Sequence, residues 1–263
     1  MTEEAAWIAL LAELDRWAEA GKRLDLWLRD DDATMPSDQL DRLAALAERF
    51  AAPVLLASIP LLAQEMLARR LETAPFLLPC QHGAWHRNHA PPGEKKSEFG
   101  LHRPLSGVIA EIAAGRERLQ ELVGNRLLPV FVPPWNRIHP DVAAELPGLG
   151  FAGLSCFRNF ALGPAGGPRL VNTDLDLIDW HHGRVGRQAA DLLGEMVSLL
   201  AERRMKPQPH QPFGLLLHHH DHDSATWSFL TNLLSRLSGH AAVAFSGPDT
   251  LFGAATTLAM GLD

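Results

Sequence analysis

Residues 24–34 read LDLWLRDDDAT. The apolar alternation of LDLWL predicts a β-strand over residues 24–30. Three consecutive carboxylates, Asp30, Asp31 and Asp32, end this run; they repel one another, and Asp disfavours strand interiors. Arg29, a bound cation or water must therefore meet them. An isolated DDD is typical of a solvated acidic turn, but four further clusters rich in His, Asp or Trp follow later apolar runs in the same way.

The composition indicates a globular protein. The 263 residues are 46% hydrophobic with a net charge of −7, and no basic tract occurs, so a nucleic-acid surface is not expected. No apolar run approaches the roughly 20 residues of a membrane span, and the acidic, helical N-terminus lacks the features of a signal peptide. Two cysteines, Cys80 and Cys156, do not make a disulfide framework. We therefore expect a cytoplasmic protein with no membrane partner.

Apolar strand patterns alternate with helical patterns along the chain. Strands are predicted at 24–30, 53–60, 75–82, 127–135, 150–157, 175–182, 213–220 and 241–246. Several of them are almost continuously apolar, which is typical of a parallel sheet covered on both faces. Seven or eight βα units favour a single-domain α/β fold over residues 1–263, a distorted (β/α) barrel, with residues 1–21 as an N-terminal helix. A doubly wound open sheet is the alternative, although no Gly-rich phosphate fingerprint follows the first strand.

Five predicted strands end in residues that carry chemistry, and in such barrels the strand C-termini meet at one face. The clusters are Asp30-Asp31-Asp32; His82 with His86 and His89; Trp135-Asn136-Arg137; Asp176 and Asp179 with Trp180-His181-His182; and His218-His219-His220-Asp221.

The histidines at 82 and 86 suggest a metal site. If the chain turns helically after the third strand, their imidazoles point to one side and can share a cation with a carboxylate of the acidic cluster. Two His and one Asp suit Zn²⁺, with Co, Ni or Mn as other options, and leave positions open for water and substrate. The long loop at 83–104 is polar and rich in Pro and Gly. Within it Glu94, Lys95, Lys96 and Glu98 resemble solvated charges, with Glu98 folded over the site as the alternative for that residue.

In order and spacing, RDDD, HGxxH, a PPW segment, DxxDW and LLLH resemble the five motifs of the polysaccharide deacetylase family, also called the NodB-homology domain or carbohydrate esterase family 4. The resemblance covers about residues 24–250. It implies a distorted (β/α) barrel with one divalent metal held by one Asp and two His. Its ligands would be Asp32, His82 and His86.

The resemblance also implies roles for other residues. Asp31 would be the general base, although three adjacent Asp leave Asp30 and Asp31 open as an alternative base and ligand. His218 would be the general acid, with His219 as the alternative. Asp176, Asp179 and Trp180 would support His218. Trp135 and Arg137 would shape the pocket and bind the oxyanion.

The sequence departs from the family pattern at three positions. Gly83 stands where Ser or Thr is usual, and Arg87 stands where Pro is usual. The Arg that holds the base is absent before the Pro-Pro pair, so Arg29, Arg103 or Arg137 is expected to replace it.

The resemblance predicts a metal-dependent C–N hydrolase that removes an acetyl group from an N-acetylated sugar or a related small molecule. Two alternatives are a hydrolase of a non-sugar amide or cyclic ureide, as in the allantoinase-like relatives, and a barrel that binds metal or sugar without catalysis. The expected partner is a small molecule or saccharide.

Overall fold

The computed structural model describes residues 2–206 and 211–253. The strands are β1 Leu24–Ala33, β2 Val54–Ser58, β3 Leu77–His82, β4 Val130–Val132, β5 Gly153–Leu154, β6 Arg169–Leu170, β7 Leu175–Asp176, β8 Ile178–Asp179, β9 Val185–Gly186, β10 Phe213–Leu217 and β11 Val243–Phe245. The α-helices are α1 Glu3–Glu19, α2 Asp38–Arg49, α3 Glu65–Glu72, α4 Leu105–Val123, α5 Pro140–Glu145, α6 Ala189–Met205, α7 Ser224–Leu237 and α8 Pro248–Phe252.

Nine of these strands form one parallel sheet. Its order is β6-β5-β4-β3-β2-β1-β10-β7, and β11 adds to the start of β1. The sheet curls into part of a barrel, whose two edge strands β6 and β7 do not pair within the described residues. Because the strands are parallel, their C-termini gather at one end. The predicted distorted (β/α) barrel is confirmed.

Strand β1 has two different faces because successive side chains of a strand point to opposite sides. Leu24, Leu26 and Leu28 pack into a core shared with α1, α2, α6 and α7. Trp27 instead joins the apolar cluster on the other face, with residues of β2, β3 and β4. Arg29 follows Trp27 on this second face, and the alternation therefore decides which carboxylates of the acidic cluster enter the barrel.

Three of the longer helices begin at polar caps that the sequence supplies. Thr2 caps α1, Ser37 caps α2 and Asp223 caps α7, each accepting a hydrogen bond from a backbone N–H of the first turn. Gly21, with φ +64°, follows the end of α1 in the left-handed region. In the described part of the chain, no helix is both long and apolar enough to cross a membrane.

The strands predicted at 127–135 and 150–157 are much shorter in the structure, as β4 and β5, and the short strands β6 and β9 were not predicted. Two further differences bear on the site. Strand β1 does not end at residue 30 but continues to Ala33, with a shift of register against β2 between Asp30 and Ala33. The stretch predicted as one strand over 175–182 is split: β7 joins the large sheet, whereas β8 pairs antiparallel with β9 in a separate hairpin. The side chain of Asp176 accepts a hydrogen bond from the backbone N–H of Ile178, 2.9 Å away, and this local turn separates β7 from β8.

Candidate active site

A bulge at the end of β1 directs its three carboxylates to different partners. Asp30 and Asp31 point to opposite faces of the sheet, as the strand alternation requires. Asp32 has φ +74°, a left-handed conformation that is uncommon for a residue with a side chain. The register shift and this conformation carry the carboxylate of Asp32 toward β3.

Asp32, His82 and His86 come together as the resemblance implies. Oδ1 of Asp32 lies 3.1 Å from Nε2 of His82 and 3.3 Å from Nε2 of His86. One potential ligand atom from each of the three residues lies within 4.8 Å of the others. The arrangement is a candidate site for one divalent cation.

A hydrogen bond orients the imidazole of His82, and neighbouring groups shift the pKa values of His82 and His86 in opposite directions. Nδ1 of His82 lies 3.0 Å from the carbonyl oxygen of Val132, and a proton on Nδ1 would leave the lone pair of Nε2 facing Asp32. Burial by itself would lower the pKa of His82, but the carboxylates of Asp31 and Asp32 outweigh it and raise that pKa. Burial and the neighbouring imidazole of His82 lower the pKa of His86, which favours its neutral form.

The same imidazoles act on Asp32. Burial would raise the pKa of its carboxyl, but the adjacent His82, together with the charges of His218 and His86, holds that pKa well below its usual range. Oδ1 of Asp32 is buried and accepts no hydrogen bond among the described residues. A buried carboxylate oxygen facing two imidazole nitrogens is the donor set that a divalent cation binds.

Arg29 holds Asp31 inside the barrel. Its Nε and Nη2 donate to the two carboxylate oxygens of Asp31, both at 3.0 Å, and both residues are buried. Arg29 also donates to Ser155 Oγ at 2.8 Å and to Asn136 Oδ1 at 2.5 Å. Of the three arginines considered from the sequence, Arg29 therefore holds this carboxylate. Asn136 belongs to the cluster predicted at the end of the fourth strand, whereas Ser155 carried no signal in the sequence.

Asp30 lies on the helix-covered face and is paired with His219. Its Oδ2 accepts the backbone N–H of His219 at 2.8 Å, and its Oδ1 contacts Nδ1 of the same residue. Both side chains are fully buried. Burial would raise the pKa of Asp30, but the charge and hydrogen bond of His219 lower it. Asp30 and His219, the alternatives for base and acid, thus neutralise each other behind the site.

His218 directly follows β10, and its charge is among the causes that lower the pKa of Asp32. Its ring meets the indole of Trp180 edge-on, with centroids 4.6 Å apart. Nε1 of Trp180 donates to Asp176 at 2.8 Å. Burial raises the pKa of Asp176, and the charge of His218 partly offsets the rise. Nδ1 of His218 is buried without a hydrogen-bond partner among the described residues.

Of the three other candidate residues, Trp135 lies beside His86, whereas Asp179 and Arg137 make their contacts elsewhere. Asp179 accepts the backbone N–H groups of His181 and His182 and contacts the ring of His182, so it organises the turn after β8. Trp135 adopts φ +54°, and its ring lies 4.5 Å from that of His86. Arg137 points away toward the long loop and donates to the carbonyl of Lys96 at 2.9 Å.

The turn that carries His86 is not helical, contrary to the expectation for the spacing of His82 and His86. Gly83 and His86 both have positive φ, +60° and +56°. Glu98, expected among solvated loop charges, is fully buried and accepts backbone N–H groups of this turn. The distance along the chain between residue 98 and the turn hid this contact from sequence patterns.

No protein-family model and no curated protein matches the sequence. Solved structures do match. A protein from Mycobacterium smegmatis assigned as a polysaccharide deacetylase superposes with a TM-score of 0.66 at 14% identity, covering 89% of this chain and 90% of that one. The chain has the polysaccharide deacetylase fold.

Two further structures with the deacetylase fold are informative. A family 4 acetyl xylan esterase from Clostridium thermocellum, solved with a cobalt ion, has a TM-score of 0.52 at 14% identity, over 87% of this chain and 90% of that one. A BA3943 mutant described as a CE4 family pseudoenzyme has a TM-score of 0.57 at 12% identity, over 88% of this chain and 67% of that one. The deacetylase fold thus occurs with a bound metal in one neighbour and in a pseudoenzyme in another.

Proposed function

We propose that this protein is a metal-dependent hydrolase that removes an acetyl group from an N-acetylated sugar or a related small molecule. The observation that carries the proposal is the convergence of Asp32, His82 and His86 within 4.8 Å, beside an arginine-held carboxylate and a histidine. A binding protein has no need for a potential base and acid next to its metal ligands.

Asp32, His82 and His86 would hold the cation, and the orphaned Oδ1 of Asp32 supports their fit to it. Zn²⁺ is our choice, because two imidazoles and one carboxylate are common zinc ligands; Co, Ni and Mn are compatible. When bound, a divalent cation there would polarise the acyl carbonyl and increase the acidity of water.

Asp31 would act as the general base. Its two oxygens are fixed by the fork of Arg29, so its orientation is set before substrate arrives. Asp30 is unsuitable for this role, since it is fully buried against His219 on the other face of the sheet.

His218 would act as the general acid toward the leaving amine, which is a poor leaving group until it is protonated. Trp180 and Asp176 would orient it, because the indole packs against His218 while donating to Asp176. Asp179 would shape the adjoining turn. The backbone N–H of Trp135 would stabilise the oxyanion, a contribution of a few kcal/mol in comparable enzymes, and Trp135 and Trp180 would flank the acyl sugar, with Arg137 at the rim.

The test combines metal analysis with acetate release from N-acetylglucosamine oligomers. We expect one zinc per chain and acetate release by the unaltered protein. His218→Gln should lower kcat by about 10²–10⁴-fold with zinc content unchanged, while His181→Gln, an exposed neighbour, serves as the control. Zinc binding without turnover of any acyl substrate would contradict catalysis, and turnover of cyclic ureides alone would contradict the sugar substrate.

A further inference from the structure

The carboxylate of Glu98, in the long loop, accepts hydrogen bonds from three backbone N–H groups. Its Oε1 accepts the backbone N–H groups of Trp85 at 2.8 Å and Arg87 at 3.2 Å, and its Oε2 accepts that of Ala84 at 3.2 Å. Glu98 is fully buried and forms no ion pair among the described residues. A buried carboxylate is strongly disfavoured unless hydrogen bonds satisfy it, so this turn and this side chain stabilise each other.

The backbone of Glu98 is held independently of the turn. Arg103 donates to its carbonyl oxygen at 3.2 Å. The next residue, Phe99, is fully buried against Phe131, with ring centroids 5.3 Å apart, and its carbonyl accepts the backbone N–H of His139 at 2.9 Å. Glu98 thus projects from a fixed point at the far end of the long loop.

The turn itself needs such support. It runs from the end of β3 to Arg87 without helical hydrogen bonding, and His86 is in a left-handed conformation that a non-glycine residue seldom adopts. Unpaired backbone N–H groups in a buried turn would be costly. One side chain takes up three of them on both sides of His86, whose Nε2 faces Asp32.

Two of the three departures from the family pattern, at positions 83 and 87 of the HGxxH segment, lie next to the carboxylate of Glu98. A Cβ at position 83 would lie 2.3 Å from its Oε2, so only glycine fits there. A proline at position 87 would have no N–H to donate to its Oε1. Glycine at 83, a non-proline residue at 87 and Glu98 are therefore one structural unit.

We propose that Glu98 is a positioning residue that fixes the turn at residues 84–87 and thereby aims His86 at the metal. The inference rests on the metal site of the proposed function. Glu98 does not contact the cation or the substrate; it acts through the backbone on either side of His86.

The first experiment compares Glu98→Gln with Glu94→Gln. Glutamine keeps the shape of Glu98, but in either orientation its amide NH₂ opposes a backbone N–H. Glu94 lies in the same loop, is exposed and pairs with His102 at 3.5 Å, which makes it a matched control. We expect Glu98→Gln to weaken Zn²⁺ affinity about 10–100-fold in chelator competition and to change the visible spectrum of the Co²⁺-loaded protein, and Glu94→Gln to do neither.

A double-mutant cycle tests whether the effect passes through His86. In a His86→Ala background, Glu98→Gln should cause no further loss of Zn²⁺ affinity, because the ligand that it positions is gone. Additive losses would overturn the proposal. So would a Glu98→Gln protein whose metal-free form unfolds at lower temperature but binds Zn²⁺ with unaltered affinity, since Glu98 would then be structural only.

Amide hydrogen exchange tests the proposal on the unaltered chain, so the result does not depend on whether a variant folds. In the metal-free protein, the amide hydrogens of Ala84, Trp85 and Arg87 should exchange slowly with solvent, and free exchange would overturn the proposal. If the unaltered chain binds no Zn²⁺, the proposed metal site fails together with this inference. If it binds Zn²⁺ but Glu98→Gln has no effect, only the role of Glu98 fails.

Discussion

Arg29 and Asp31, two residues apart on β1, face each other with a planar pair of hydrogen bonds, each 3.0 Å long. The remaining donors of Arg29 reach Ser155 beyond β5 and Asn136 beyond β4. One buried guanidinium therefore joins the candidate base to two strand ends on the far side of the site. Lysine could not reproduce this fork, because an ammonium is a single compact charge.

We expect Arg29→Met to lower the free energy of unfolding by about 3–5 kcal/mol, because it leaves the buried Asp31 without its counter-charge. The free energy of unfolding of Arg29→Lys should lie between those of Arg29→Met and the unaltered chain. Urea denaturation measures the change. Arg23→Met at an exposed position is the control and should remain within about 0.5 kcal/mol; a loss at Arg29 as small as this would contradict the pairing.

Asn substitutions at Asp30 and Asp32 should separate stability from metal binding. Asp30→Asn removes the charge that pairs with His219 in a fully buried site, and we expect it to lower unfolding free energy by about 1–3 kcal/mol with Zn²⁺ affinity retained. Asp32→Asn should abolish tight Zn²⁺ binding, whatever its effect on the stability of the metal-free protein. Calorimetric titration and thermal unfolding of both variants make the comparison. The reverse pattern would assign the ligand to Asp30.

His222 should make the fold sensitive to acid. Burial lowers its pKa to about 4 from an ordinary value of 6.5, and neither ring nitrogen has a hydrogen-bond partner among the described residues. Between these values the unfolded chain is protonated at this position and the native chain is not, so unfolding takes up a proton. Its stabilising contribution is complete above about pH 6.5 and is lost as the pH falls toward 4, a change on the order of 3 kcal/mol.

The control for this acid sensitivity is a phenylalanine. His222 packs edge-on against Trp227 with centroids 4.6 Å apart, and His222→Phe keeps an aromatic ring there without a titrating group. Urea denaturation from pH 7 to pH 4 should show a shallower loss of stability for His222→Phe than for the unaltered chain. Parallel curves would show that this histidine is not the group responsible.

The features that the sequence predicted correctly, the main strands and the approach of Asp32 to His82, depend on local sequence pattern. Continuous apolar runs located the main strands, and their parallel arrangement was enough to bring Asp32, on β1, beside His82, at the end of β3. The left-handed conformation of Asp32 could not be foreseen, because a bulge arises from pairing with β2. For Glu98 the sequence left open a solvated charge or a side chain folded over the site, since charged residues in a polar loop usually remain in water and its partners lie 11–14 positions away.

Gly83 offers a test of the unit that it forms with Glu98. A Cβ there would lie 2.3 Å from Oε2 of Glu98 and 2.6 Å from Cγ of Pro134, and φ is +60°. Gly21 has nearly the same φ, +64°, but a Cβ would meet nothing within 4 Å. Gly21→Ala therefore measures only the loss of unfolding free energy from placing a Cβ on a left-handed backbone, about 1 kcal/mol.

We expect Gly83→Ala to exceed Gly21→Ala in loss of unfolding free energy and, unlike it, to weaken Zn²⁺ binding, because either Glu98 or Pro134 must move. Denaturant unfolding of the metal-free proteins and Zn²⁺ titration of both variants provide the comparison. In a Glu98→Ala background the clash with Oε2 is removed, so the difference between the two alanine variants should shrink to the part due to Pro134. An undiminished difference would mean that Pro134 alone requires glycine at this position.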